Sequence, residues 1–107
     1  MAGVLEGLAG EMIAAGRTAA ADIWDQIRTF AIPELEKIAV QIEALADPDS
    51  PWSRAEKKLL FKMQRDAAVS VIVAMTSLTM LAVERAINAI IAAVKGLING
   101  AVGFALV

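Results

Sequence analysis

The chain has 107 residues, is 58% hydrophobic but only 5% aromatic, and carries a net charge of −2. That length holds one domain, and the charge balance gives no basic footprint for nucleic acid. The absence of Cys and His removes disulfides, thiolate nucleophiles, the usual zinc ligands and imidazole acid–base chemistry.

Residues 1–15 contain Glu6 and Glu11 and no basic residue, so no signal peptide is expected there. The first arm, about 4–46, reads as an amphipathic helix. Leu5, Leu8, Met12, Ala15, Ala19, Ile23, Ile27 and Phe30 recur at spacings of three and four, and the stripe resumes as Leu35, Ile38, Ile42 and Leu45. Pro33 lacks an N–H and crowds the carbonyl of Thr29, which predicts a kink or short break near 29–33.

A turn follows at 47–52, where Asp47-Pro48-Asp49-Ser50-Pro51 cannot continue a helix. Asp47 and Asp49 lack the later ligands of a calcium loop and are read as turn chemistry. Ser53-Arg54-Ala55-Glu56 then matches a capping box, the pairing that satisfies free N–H groups at a helix start.

The second arm is expected to run from about 53 to 96, with an apolar tail to 107, because no proline or glycine lies between Pro51 and Lys95. Residues 1–50 hold nine acids against three bases, and residues 51–107 hold seven bases against three acids. A chain folded back at the turn would set these opposite charges side by side. The predicted fold class is therefore all-α: a long antiparallel helical hairpin, kinked near Pro33, forming a single domain over 1–107.

Residues 67–107 carry only three charges, Glu84, Arg85 and Lys95, and the 17 residues 67–83 carry none. A continuous helix of that composition leaves no face for water, so sister subunits or lipid are expected to cover it. A row of small residues fits such close packing: Ala82, Ala86, Ala89, Ala93, Gly96, Gly100 and Gly103, opposite Gly3, Gly7, Gly10 and Ala14. Glu84, Arg85 and Asn88 are expected to be matched in a subunit boundary or a water-filled lumen, since unpaired charge in an apolar stretch is costly. Lys57, Lys58, Lys62 and Arg65 form a basic cluster, either facing the acidic first arm or meeting phosphates and anionic head groups. Trp24 and Trp52 read either as interfacial anchors or as packing residues. Met63, Met75 and Met80 read as packing residues.

No nucleophile–base constellation, metal cluster or phosphate loop occurs, and Gly96 to Gly103 has no Lys-Ser/Thr ending. The expectation is a protein that is not an enzyme, with no cofactor, no metal and no small-molecule substrate. The leading functional reading is a self-associating structural subunit, a homo-oligomer of virion, tube or ring type with several hairpins bundled together. The alternatives are a membrane-inserting or pore-forming protein (a holin, toxin or phage ejection type, with membrane lipid as partner) and a module docking on a larger hydrophobic partner. The compartment is open between a multi-subunit assembly and a membrane.

Overall fold

The computed structural model describes residues 7–107, so Gly3 and the start of the first arm lie outside the described residues. Among these residues there are helices and no strand: α1 (Leu8–Ala19), α2 (Trp24–Ala46), α3 (Arg54–Met75), α4 (Met80–Ala93) and α5 (Lys95–Val102). The chain is all-α.

The first arm divides at 20–23 rather than at the proline. The reason is packing. Gly16 presents no side chain, and the Trp24 ring lies directly over it. Eight residues along a straight helix would separate the two by about 12 Å. A corner at 20–23 brings them together, and it is closed by the Ala20 N–H on the Gly16 carbonyl (3.1 Å) and the Ile23 N–H on the Ala20 carbonyl (3.1 Å). α2 then runs without interruption through Pro33. Pro33 and Thr29 both sit on its exposed side, where water can take the carbonyl that the missing N–H leaves free. Trp24 is a core residue.

The turn forms as its composition predicts. The Asp47 carboxylate accepts from the Asp49 N–H (2.9 Å), and the Ser50 N–H donates to the Asp47 carbonyl (3.1 Å). α3 opens on the capping box. The Glu56 N–H donates to Ser53 Oγ (3.1 Å), and the Ser53 N–H donates to Glu56 Oε1 (2.7 Å). α2 and α3 pack against each other across this turn, and Gln41 Nε2 on α2 donates to the Leu60 carbonyl on α3 (2.9 Å).

The second arm is not one helix. α3 ends at Met75, residues 76–79 form a corner, and α4 begins at Met80. Thr76 and Thr79 both adopt extended backbone. The Thr76 hydroxyl donates back to the Ile72 carbonyl (2.8 Å) and faces the Leu78 N–H (3.3 Å). The Thr79 hydroxyl accepts from the Ala82 N–H (3.2 Å) and caps α4. Hydroxyl side chains offer the backbone these alternatives to helical hydrogen bonds, and three of the four corner residues carry one.

The corner changes the fate of the uncharged segment. Ala68, Val69 and Ile72 on α3 and Val83, Ala86, Ile87, Ile90 and Ile91 on α4 enter the chain's own core. They join Leu8, Met12, Ile27, Leu35, Ile38, Ile42 and Leu45 from the first arm. α1 packs on α2 and α4, and α3 packs on α2 and α4, which closes a ring of four helices. α5 lies against α2, and its Ile98 is fully buried. The molecule measures 41 × 24 × 19 Å. The expectation that sister subunits or lipid must cover 67–107 on every side is corrected here: one side of the segment, with Val69, Ile72, Val83, Ile87, Ile90 and Ile98, is covered by the chain's own core, while Ala67, Ser70, Met75, Met80, Leu81 and Leu97 stay exposed. Among the described residues no helix is long and apolar enough to cross a membrane.

Beyond α5 the chain turns at Gly103, whose φ of 83° is the left-handed conformation that favours glycine. Asn99 then ties the tail down. Its Oδ1 accepts from the N–H groups of Leu106 (2.9 Å) and Val107 (3.1 Å), and its Nδ2 donates to the Val107 carbonyl (3.1 Å).

Candidate functional site

Two surfaces stand out once the core is assigned, and both involve α3. Leu59, Met63, Ala67, Ser70 and Ala74 recur at spacings of four, four, three and four, so they share one side of the helix, and all five are exposed. Val71 and Met75 widen this face at its far end. Leu59 and Met63 are each 58% exposed and Met75 57%. Every charged residue of α3 lies in its first thirteen positions, from Arg54 to Asp66, and the rest of the helix has none.

The second surface is a groove of about 450 Å³ between α3 and α4, lined also by Lys95 and the tail residues Leu106 and Val107. Its floor is apolar, formed by Phe61, Ile91, Ala92 and Leu106. Its rim carries Lys58, Lys62 and Arg65 from α3, Lys95 from α5, and Asn88. Phe61, Ile91 and Leu106 are held in place by burial of most of their own surface.

The ion pairs leave this rim positive. Lys62 Nζ meets Asp66 at 2.8 Å, and Arg65 Nη2 meets the other oxygen of Asp66 at 2.8 Å. Hydrogen bonds from Lys62, then from Arg65, hold the Asp66 carboxyl below its usual range. Arg65 Nη1 also donates to Asn88 Oδ1 (3.1 Å), which links α3 to α4. Lys58 and Lys95 make no ion pair among the described residues.

The sequence-derived sites fall out unevenly. Of the basic cluster, Lys58, Lys62 and Arg65 reach the groove rim, whereas Lys57 lies outside it. Among the described residues, none of the three ion pairs joins the acidic first arm to the basic second arm; Glu34 pairs with Lys37 one turn along α2 (2.9 Å), and the other two lie within α3. The expected pairing across the arms is thus corrected. Lys62 and Arg65 find Asp66 on their own helix, four and one residues away, at less conformational cost than reaching α2. Glu84 is half-buried, while Arg85 and Asn88 are exposed. Arg85 faces solvent because the core side of α4 is taken by Val83, Ala86, Ile87 and Ile90.

The row of small residues also separates. Ala86 is buried, and Ala82 and Ala89 are half-buried near α1. Gly7, Gly10, Ala14, Ala93, Gly96, Gly100 and Gly103 are exposed. A Cβ added at Gly7, Gly10, Gly96, Gly100 or Gly103 would meet nothing within 4 Å, so the backbones make no close approach at these positions within the chain. Gly16, which the spacing pattern passed over, is the glycine that packing requires. The outer face of α3 was also missed. Its signal was the lack of charge at 59, 63, 67, 70 and 74, obscured by treating residues 67–83 as apolar on every side.

Among the described residues no group of three or more His, Cys, Asp or Glu could hold a metal ion. Comparisons with protein-family models, with curated proteins and with solved structures found no match.

Proposed function

We propose that the chain is a non-enzymatic structural subunit that associates with a second copy of itself through the outer face of α3. The observation that carries this reading is the continuous uncharged stripe of Leu59, Met63, Ala67, Ser70, Val71, Ala74 and Met75 on the solvent side of a helix whose other side is in the core. Contiguous exposed apolar surface on a small protein marks an interaction site.

Charge placement favours a second copy, packed antiparallel. A parallel pairing would lay the basic first half of α3, with five bases against two acids over 54–66, alongside its own duplicate. An antiparallel pairing sets it along the uncharged second half and makes the contact self-complementary about a two-fold axis. The acids of the first arm, which among the described residues make no ion pair with the second arm, leave opposite-sign surfaces available for further contacts between copies. In this reading the α2–turn–α3 unit is the hairpin that carries the assembly.

The contact is weak as a pair. Leu59, Met63, Val71 and Met75 are already partly buried, so each gains about 1 kcal/mol from covering the remainder. Two copies give roughly 8 kcal/mol before an association cost of about 4 kcal/mol or more. The net corresponds to a Kd of about 1 mM, so stable particles need several such contacts at once.

Sedimentation equilibrium tests the reading. The weight-average mass should rise above the 11.3 kDa of one chain as concentration approaches the millimolar range. Met63→Lys with Met75→Lys should hold it at one chain without loss of helicity. A wild-type mass that stays at one chain across that range overturns the proposal.

A further inference from the structure

We infer that the groove between α3 and α4 is a binding site for a single-chain amphiphile with an anionic head, such as a free alkyl carboxylate. Composition gave no small-molecule ligand, and this inference stands apart from self-association because it uses a different side of α3. Lys58, Lys62 and Arg65 lie on the α4 side of the helix, away from the outer face centred on Met63 and Ala67.

Three properties of the groove fix the ligand class. Its volume of about 450 Å³ lies within the size range of small-molecule sites. Its floor of Phe61, Ile91, Ala92 and Leu106 suits an aliphatic chain and offers little to a polar one. Its rim carries four cations, and the acid hydrogen-bonded to them is Asp66, already shared between Lys62 and Arg65. Lys58 and Lys95 stand at the rim without an ion pair among the described residues, so they are free to take a carboxylate. Glu84 lines not this groove but a separate one that shares Lys62 and Arg65 with it, together with Asp66 and Met80. Sign and shape therefore agree: an anionic head sits among the cations while its chain lies along the floor. Asn88 stays bonded to Arg65 and fixes that guanidinium at the rim.

Selectivity for an anionic head group and chain-length dependence separate this site from general stickiness. Laurate, titrated below its micelle-forming concentration and followed by amide chemical shifts, should saturate at one per chain. The shifts should centre on Asn88, Ala92, Lys95 and Leu106. Affinity should rise about fourfold for each added methylene until the groove is full, the ratio set by about 0.8 kcal/mol per buried CH2. Dodecyltrimethylammonium, with an equal chain and the opposite charge, should bind at least tenfold more weakly, and acetate should not saturate. Lys58→Gln with Lys95→Gln should weaken laurate at least tenfold, and Ala92→Phe, which fills the floor from an exposed position, should abolish binding. Both sets of changes are on exposed residues and should leave the helical circular dichroism unchanged.

The Met63→Lys, Met75→Lys chain should bind laurate like the wild type, so failure here and failure of self-association are read separately. The inference is overturned if the two head groups bind equally, if the lysine variant retains full affinity, or if the shifts fall on α3's outer face. Binding to phosphatidylglycerol vesicles without binding to monomeric laurate also overturns it, in favour of a bilayer surface.

Discussion

Replacing Gly16 by Ala places a methyl group where the ring of Trp24 now lies. An ideal Cβ there would stand 2.6 Å from Cε3 and 2.7 Å from Cη2, well inside any real contact. The ring is only 5% exposed, so it cannot move aside without opening the corner between α1 and α2. Overpacking of this kind costs about 1–3 kcal/mol. Against it stands the gain of about 1 kcal/mol from replacing Gly by Ala inside a helix. Gly10→Ala on the same helix has the same propensity gain and open space, with nothing within 4 Å. The propensity contributions cancel between the two variants, and their difference isolates the steric cost. Thermal melts followed by circular dichroism should place Gly10→Ala above the wild type and Gly16→Ala below Gly10→Ala by at least about 4 °C, since 1 kcal/mol moves a domain of this size by roughly that much or more. Trp24 emission should shift in Gly16→Ala and stay unchanged in Gly10→Ala. Equal stability of the two alanine variants would refute the assignment of the 20–23 corner to the Gly16–Trp24 contact.

Ser53→Ala and Thr79→Ala each remove a helix cap and should each destabilise by about 1 kcal/mol in chemical denaturation. The caps lie far apart along α3 and α4, so the double variant should lose the sum, and a silent Thr79→Ala would mean that α3 and α4 are one helix. Gly96→Ala and Gly100→Ala should leave stability unchanged or raise it by up to about 1 kcal/mol each, because their neighbourhood is open; a loss of more than that would reveal a close approach at these positions. Glu56 and Asp66 are held below their ordinary values of 4.5 and 3.8, by the Ser53 backbone N–H and by Lys62 respectively. Carboxyls lowered by folding stabilise fully above those values and lose the effect as pH falls through the folded-state ones. Melting temperature should therefore drop on acidification below about pH 4.5, with a shallower drop in Glu56→Gln and Asp66→Asn, and an unchanged acid limb in both would contradict the assignment.

What could be read from the residues was what local rules decide. All-helical character followed from the three-and-four spacing of Leu8, Met12, Ala15, Ile27, Leu35, Ile38, Ile42 and Leu45, and each of these is buried. The turn and the Ser53–Glu56 box followed from proline and capping chemistry. What could not be read depended on tertiary choices. Thr76, Ser77 and Thr79 are tolerated in a helix, and only the fold that Val69, Ile72, Val83 and Ile87 complete makes a corner the better use of their hydroxyls. Pro33 does not break the helix, since α2 continues past it, whereas the 20–23 corner contains neither proline nor glycine. The basic groove was half visible: Lys58, Lys62 and Arg65 stood out as a cluster, but Lys95 and Leu106 join them only because α4 folds back along α3. Ion-pair partners were misread because charge totals by half-chain say nothing about which side of a helix each charge occupies.

The chain has no cysteine, so single spin labels can be placed at Leu59→Cys or Met75→Cys, the two ends of α3's outer face. Antiparallel pairing of two copies brings position 59 of one beside position 75 of the other. Dipolar spectroscopy on a mixture of the two labelled chains near millimolar concentration should then give a short distance, close to the helix separation of about 10 Å lengthened by the label arms. Each labelled chain alone should give a longer one, near 25 Å before the arms, from the 1.5 Å rise over sixteen residues. No dipolar signal in the mixture, or the short distance appearing in the unmixed samples, would contradict association through this face.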